Sequence, residues 1–420
     1  MQNNMKIGYL MQAGVPDIRS DRPAGPAIHV RRVIEELEKL GQHVRVLAVL
    51  DHRIYRSDNL VDFVPVTIPS MDKGILRLVE RGVRRIQYEL KLPYAALFES
   101  SRFASACCQE LRGYDLFYER MGWFGYGGSL ASRWLRVPLI LEVNGDALAE
   151  LEMQGMAPRG NQRRLSLALM KKATQWASHT VATGESWRKR HIERWSVDPR
   201  TVTVVDNGSD LTNLLSRSQL HAFSPDSHHG DVTTLAYSGG FDASQGVAIL
   251  IRAIARVVAN HTPVCLLLIG SGRETKTAKQ LVDKLHLEQF VRFTGQLDPL
   301  RYAKALVQAD IGVSPYCGRV EYSGLKLLDY KAAGLATIAS GRDGEPAVIR
   351  NGQTGWIVPP CDEDALYEAI VNLVSSVELR KQMGRTARIE AEQLHGWNKT
   401  AERLNQLFSQ VIQETYSNRI

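Results

Sequence analysis

Residues 319–340 read RVEYSGLKLLDYKAAGLATIAS. Glu321 stands before Asp329, with Lys326 between them. Gly324 opens a helical pattern, LKLLDYKAA, that Gly334 ends. Ser323 is placed as its N-cap, which frees the Gly324, Leu325 and Lys326 amides for an anion at the positive end of the helix dipole. Lys326 adds a mobile point charge in the first turn, where the dipole disfavours a cation, and a bound anion would account for it. Glu321 precedes the helix and Asp329 lies on it, so both can face one ligand. Carboxylates with spare acceptors suit sugar or ribose hydroxyls. The alternative is a capped helix with ordinary surface charges.

A second stretch, SGGFDASQG (238–246), follows a strand, LAYSG, and precedes a helix, VAILIRAIARVV. That order is how α/β proteins commonly hold phosphate, on backbone N–H groups and the helix dipole. Yet its only charge is Asp242, which has the wrong sign. A third stretch, AGVPDIRSDRPAG (13–25), joins a first strand to a helix opening at Gly25 and Pro26. Gly14 and Gly25 flank a loop unusually long for a βα unit, and its end can offer amides to an anion. It does not spell GxGxxG, so a nicotinamide fingerprint is absent.

The elements that must carry these residues alternate. KIGYLMQ (6–12), HVRVLAVL (43–50), DLFYERMG (115–122), PLILEVNG (138–145), HTVATG (179–184) and TVTVVDNG (201–208) read as strands, separated by helical patterns such as 26–41. The polar stretch 216–231 reads as a linker. The rhythm restarts with TTLAYSG, VCLLLIGSG, VRFTGQL, IGVSPY, ATIAS and QTGWIV. This predicts an α/β protein of two doubly wound halves, each a parallel sheet with helices on both faces, with glycine clusters at the ligand side of the strands. The expected division is 1–215, a linker at 216–231, 232–394, and a terminal helix in 395–420 that packs back on the first half.

The chain has 420 residues, 44% of them hydrophobic, and a formal charge of +7. That length suits two domains, and the charge suits an anionic partner. Neither zinc-finger nor RNA-binding signatures occur, so nucleic acid is excluded as the expected partner. No apolar run approaches the ~20 residues that span a bilayer. The start reads as a buried strand rather than a signal peptide. Five scattered cysteines without CxxC spacing predict reduced thiols in a cytoplasmic protein, with neither a disulfide framework nor a metal cluster.

The block EYSGLKLLDYKAAGLATIAS resembles the signature of the retaining glycosyltransferases of family 4, which have the GT-B fold of two Rossmann-like domains facing a central cleft. Their pattern is an acidic residue, seven residues, and a second acidic residue, most often Glu; here Gly324 replaces a frequent Pro and Asp329 the second Glu. GPAIHVRRVIEELEKLGQHV, PLILEVNG, VVDNGSDL, LLLIGSG, VRFTGQL and NGQTGWIVPPCDEDAL resemble further family segments in the family's order.

The resemblance implies transfer of a sugar from a nucleotide diphosphate sugar with retention at the anomeric carbon. It points to Glu321 at the donor sugar, Asp329 at the ribose, and Gly324 and Leu325 amides at phosphate. Gly14, Gly25, Gly240 and Gln245 complete the expected donor site. Glu321 and Lys326 are the expected catalytic pair, and a metal or other cofactor is not expected. The acceptor, a glycan, a lipid-linked sugar or a small molecule, falls to the first domain. Asn144, where many relatives have His, is placed at the donor sugar or acceptor, and His29 is read as a packed helix residue.

One departure matters most. Where the family's diphosphate loop carries Arg and Lys, this chain has Gly240 and Gln245. A well-placed donor to such a charge is worth roughly 3–4 kcal/mol. Lys326, helped by Arg319, Arg273 or Arg342, is the expected replacement. The alternative is a homologue that binds sugar nucleotides or glycans without catalysis.

Residues 74–94, GILRLVERGVRRIQYELKLPY, interleave apolar residues with Arg77, Arg81, Arg84, Arg85 and Lys91 at helical spacing. The reading put first is a helix packed on the core with a solvated basic face. The other is a peripheral helix on an anionic membrane.

Overall fold

The computed structural model describes residues 4–20, 25–73, 75–90, 92–153, 155–211, 232–318, 324–342 and 346–417. Compactness divides the chain into two units, Met1–Asp206 with Thr400–Ile420, and Asn207–Lys399.

The first unit is built on eight strands: β1 (Lys6–Met11), β2 (His43–Leu50), β3 (Arg53–Ser57), β4 (Val64–Pro65), β5 (Leu116–Arg120), β6 (Leu139–Val143), β7 (His179–Ala182) and β8 (Val202–Val204), in the order β4-β3-β2-β1-β5-β6-β7-β8. β6 is buried along its whole length and β1 at all but its first residue, as expected of central parallel strands covered on both faces. The strand order reverses between β1 and β5, both parallel to one another. Two strands were not anticipated. β3 runs antiparallel to β2, and β4 antiparallel to β3, so this sheet is mixed at one edge rather than purely parallel. The β2–β3 hairpin turns through Asp51 and His52, with φ of 48° and 62°. A two-residue turn with both residues left-handed usually announces itself by Asn-Gly or Asp-Gly, and Asp-His hides it.

The second unit has six strands: β9 (Thr233–Ser238), β10 (Val264–Ile269), β11 (Val291–Gly295), β12 (Ile311–Ser314), β13 (Ala336–Ser340) and β14 (Gly355–Val358), all parallel, in the order β11-β10-β9-β12-β13-β14. Here the order reverses between β9 and β12. The helix Val247–Ala259 buries Leu250, Ile251, Ile254 and Val257 on one side of this sheet. Leu327 and Tyr330 of the helix Leu325–Ala333 pack into a second core cluster with Ala236 and Ile269.

The division falls earlier than residue 215. Ser209 N–H donates to His395 O at 2.8 Å, and Leu211 is buried in the second unit's core. Residues 395–399 also stay with the second unit. From Thr400 the terminal helix Trp397–Ser417 belongs to the first, where the Phe408 ring lies 5.0 Å from that of Tyr118.

Two further expectations are corrected. Cys317 and Cys361 form a disulfide, with Cα atoms 4.8 Å apart, while Cys107, Cys108 and Cys265 are free. The two cysteines follow β12 and β14, a proximity created by sheet order and invisible to their 44-residue separation. The helix Ile75–Glu89 is not packed on the core by its apolar face. Leu78 is 64% exposed and Ile86 53%, with Leu76, Val79 and Val83 exposed as well. It is held instead through Glu80, which accepts from Arg84 at 2.7 Å and Arg102 at 2.8 Å, and through the Arg84–Glu99 pair. No helix among the described residues is long and apolar enough to cross a membrane.

Candidate functional site

In open α/β sheets, ligands bind beyond the carboxyl ends of the strands where the order reverses. In the second unit that point lies after β9 and β12. SGGFDASQG begins at Ser238, the last residue of β9; the stretch from Pro315 follows β12 and leads to the helix Leu325–Ala333. Cys317 N–H donates to Ser244 O at 2.7 Å, tying the two segments together.

The lysine expected to supply charge lies on this loop. Lys326 Nζ donates to Gln245 Oε1 at 2.7 Å and sits 4.6 Å from the centre of the Tyr237 ring. A Cβ added to Gly239 would stand 2.9 Å from that ammonium, and Gly239 also has φ of 140°. Glycine there makes room for the lysine as well as for the turn. Burial pushes the Lys326 pKa down to about 7. Of the other expected helpers, Arg273 pairs with Asp242 at 3.1 Å, which offsets the loop's one negative charge. Arg342 is exposed. Arg319 lies outside the described residues, as do Glu321 and Ser323.

Gly324, at φ of 69°, stands at the N-cap position of the helix Leu325–Ala333, and the expected cap Ser323 lies outside the described residues. Its first intrahelical bond runs from Leu327 N–H to Gly324 O at 2.9 Å. The Leu325 and Lys326 amides precede that bond and have no partner inside the helix.

Asp329 lies one turn further on. Its Oδ1 accepts from Ser209 Oγ at 2.6 Å and its Oδ2 from Tyr302 OH at 2.9 Å. Burial raises its pKa to about 6, with the hydrogen bonds from Ser209 and Tyr302 pulling the other way. Gly240, Gln245, Gly324, Leu325, Lys326 and Asp329 thus gather on two neighbouring turns of one unit. Tyr237, Tyr302 and Ser209 were missed: each lies in an ordinary strand, helix or turn pattern, and only the fold brings them to the site.

The remaining expected residues belong to the first unit. Gly14 is exposed at φ of 62° in the loop after β1, and Gly25 opens the helix Gly25–Lys39. Residues 21–24 of that loop are outside the described ones. Asn144 follows β6, and its buried Nδ2 has no hydrogen-bond partner among the described residues. Next to it Glu142 is fully enclosed, bonded to His29 at 2.7 Å, Tyr118 at 2.6 Å and Tyr9 at 3.1 Å. His29 is a buried helix residue bound to this carboxylate.

Two doubly wound units, one with a glycine turn and a lysine at its switch point, define an α/β protein built of two Rossmann-like halves. Comparison with known proteins places it more narrowly. The family model of glycosyl transferases group 1 matches residues 222–390, and that of the glycosyl transferase 4-like domain residues 24–208. The chain belongs to the family 4 glycosyltransferases of GT-B fold. It is 28% identical over 223 residues to phosphatidyl-myo-inositol mannosyltransferase of Mycolicibacterium smegmatis, covering 52% of this chain and 55% of that one. It is 28% identical over 186 residues to N-acetyl-alpha-D-glucosaminyl L-malate synthase of Bacillus anthracis, covering 44% and 48%. The chain thus spans about half the length of the curated relatives it matches. Among solved structures it resembles Anabaena HepE in complex with UDP, with a TM-score of 0.70, 17% identity, and 97% and 100% of the two chains covered.

Proposed function

We propose that this protein transfers a sugar from a nucleoside diphosphate sugar to a hydroxyl of a glycan, lipid-linked or small-molecule acceptor, with retention at the anomeric carbon. The observation that carries the reading is Lys326, whose ammonium lies on the glycine turn beside Gln245, where the sequence had removed the charge a diphosphate needs. In this reading Lys326 and the Leu325 and Lys326 amides hold the diphosphate, with Gly240 and Gln245 bounding it. Asp329 receives the ribose and Glu321 the donor sugar. Gly14, Gly25 and Asn144, in the first unit, are assigned to donor or acceptor by the sequence resemblance alone. The acceptor oxygen bonds to the anomeric carbon as the bond to the diphosphate oxygen breaks, on the same face. The acceptor proton passes to the departing phosphate. The protein's part is positioning and charge stabilisation, and no metal is required.

One relative is named for a phosphatidylinositol substrate. A lipid acceptor here fits the helix Ile75–Glu89, whose apolar residues are exposed among arginines. We place this helix on the anionic cytoplasmic face of a membrane. Arg84 is committed to Glu80 and Glu99, but Arg81 and Arg85 lie on the exposed side, Arg85 paired with Glu89. Wild type should sediment with phosphatidylserine vesicles, and Arg81→Glu with Arg85→Glu should release it. Equal sedimentation of the two removes the membrane reading.

The decisive screen is turnover with UDP-, GDP- and ADP-sugars and a broad acceptor pool, with Glu321→Ala and Lys326→Ala beside wild type. One donor class should be turned over by wild type and lost in both variants. Nucleotide binding without turnover on any acceptor would instead mark a binding protein, and turnover in both variants would refute the site.

A further inference from the structure

Around Asp329 the hydrogen-bond donors and acceptors can be assigned in one direction. Tyr302 OH must donate to Asp329 Oδ2, because an ionised carboxylate has no proton to give. With that proton committed, Ser238 is the donor in the 3.0 Å contact between Ser238 Oγ and Tyr302 OH, which is shorter than the 3.4 Å contact the same hydroxyl makes to Tyr330 OH. Tyr330 OH, which donates to Val313 O at 3.2 Å, accepts the Ser238 backbone N–H at 2.8 Å and fixes the serine's place at the end of β9. On the other side, Leu211 N–H donates to Ser209 Oγ at 3.2 Å, so the serine's own proton is turned to Asp329 Oδ1 at 2.6 Å. The Ser209 backbone is itself anchored to His395 O. A directed chain therefore runs from the start of the glycine turn, through Tyr302, to one carboxylate oxygen, while Ser209 holds the other.

We infer that Tyr302 and Ser209 are positioning residues that clamp the Asp329 carboxylate so that one lone pair of each oxygen is presented to the vicinal 2′- and 3′-hydroxyls of a donor ribose. The inference rests on the donor-site reading above. Its physical basis is a division of acceptors. A carboxylate has about four lone-pair sites, and the protein takes one on each oxygen, the pairing that leaves two acceptors side by side for a diol. Asp329 as a residue is half-buried. Asp places its carboxylate one methylene closer to the helix than Glu would, and the two clamps fix that shorter arm in one rotamer. Neither clamp touches the diol in this arrangement, and both act through Asp329.

The groups that face this carboxylate are Ser209 and Asp210 from the turn before residue 212, Tyr302 from the helix Pro299–Val307, and Tyr330 from its own helix, with Ser238 behind Tyr302. Among the described residues Asp329 has no ion pair. Losing a hydrogen bond to the charged form therefore raises its pKa further, and ribose binding then requires a higher pH.

The test is calorimetric binding of UDP and GDP, and of their 2′-deoxy counterparts, across the pH range of the Asp329 titration. Wild type, Tyr302→Phe and Ser209→Ala are compared, with thermal melts to confirm folding. Wild type should prefer the ribonucleotide. Each variant should bind it about tenfold more weakly, lose most of the 2′-deoxy discrimination, and move the acid limb of binding up by about one pH unit. A residue that only supported the fold would weaken ribo- and 2′-deoxynucleotide alike without moving that limb, and that result would overturn the inference. So would wild-type behaviour in both folded variants. If wild type itself binds neither nucleotide, the donor-site reading fails first and the inference falls with it.

Discussion

Glu142 in the first unit and Asp329 in the second are both carboxylates set against tyrosine hydroxyls, and their surroundings push them in opposite directions. Burial alone would raise both. At Glu142 that effect is outweighed by His29, by Arg120 at 3.6 Å and by the Tyr118 hydroxyl, and the carboxyl is held down at about 2. At Asp329 no cation among the described residues outweighs it; Asp210 adds repulsion, and the carboxyl rises to about 6. Glu142 is almost wholly enclosed, whereas Asp329 as a residue is half-buried. A buried acid whose charge is answered by the protein is a structural tie. An acid whose charge is left partly unanswered, and whose acceptors are half used, is built for something that arrives later. Lys326, driven in the other direction by burial, is the cationic counterpart on the same helix.

The largest effect that can sharpen this contrast is on Lys326. Replacing it with Ala should lower kcat/KM for the donor by 10²- to 10³-fold, the scale of losing about 3–4 kcal/mol of charge stabilisation. Steady-state kinetics with the active donor reads this out, and a loss under tenfold would place the diphosphate's partner elsewhere.

Next comes Glu142→Gln, expected to lower stability by roughly 3 kcal/mol near neutral pH while leaving nucleotide affinity of the folded protein unchanged. The pH dependence follows from its lowered folded pKa. The contribution is fully present above roughly pH 4.3, the unfolded value, and is lost as pH falls toward 2. Urea melts at a series of pH values measure it.

Asp329→Asn should invert that pattern, with nucleotide affinity down about tenfold and melting temperature held or raised. The raised folded pKa means the native state keeps a proton that the unfolded chain releases. Ionisation of Asp329 thus costs stability above pH 6, and that cost disappears as pH falls through 6 toward the unfolded value. A destabilised Asp329→Asn with intact binding would make the two carboxylates alike and break the comparison.

Smallest is Gln245→Lys. A second ammonium beside Lys326 should tighten nucleotide binding a few-fold, most at low salt, because the bound diphosphate answers both charges. An unchanged affinity would mean the loop no longer faces phosphate.

Much of this was legible in the sequence. The two αβ rhythms located twelve of the fourteen strands, some running up to four residues past an end, and the resemblance to the family's diphosphate loop pointed to Lys326 as the charge beside the glycine turn. What was not legible has physical causes. The Asp51–His52 hairpin hides because neither residue is glycine, yet both adopt left-handed backbone. The Cys317–Cys361 pair depends on the order of β12, β13 and β14, which no local pattern encodes. It predicts three titratable thiols in the unfolded, unreduced chain and five after reduction. The helix Ile75–Glu89 misled because periodicity shows an apolar face without saying what covers it. Tyr302 carries no signal, and Ser209 lies in the segment VVDNGSDL without being singled out there, since the meaning of both is a distance to Asp329 across folded elements.

Whether Lys326 supplies the charge the glycine turn lacks is decided by titrating UDP and GDP against wild type and Lys326→Ala as a function of pH. With a free-protein pKa of about 7, Lys326 is charged below that value and neutral above it. Wild-type affinity should therefore weaken as pH rises through and beyond 7, the limb lying higher in the complex because diphosphate favours the ammonium. The Lys326→Ala protein should bind roughly 100-fold more weakly below pH 7 and show no such limb. Equal affinity and an identical alkaline profile in the two proteins would contradict the account.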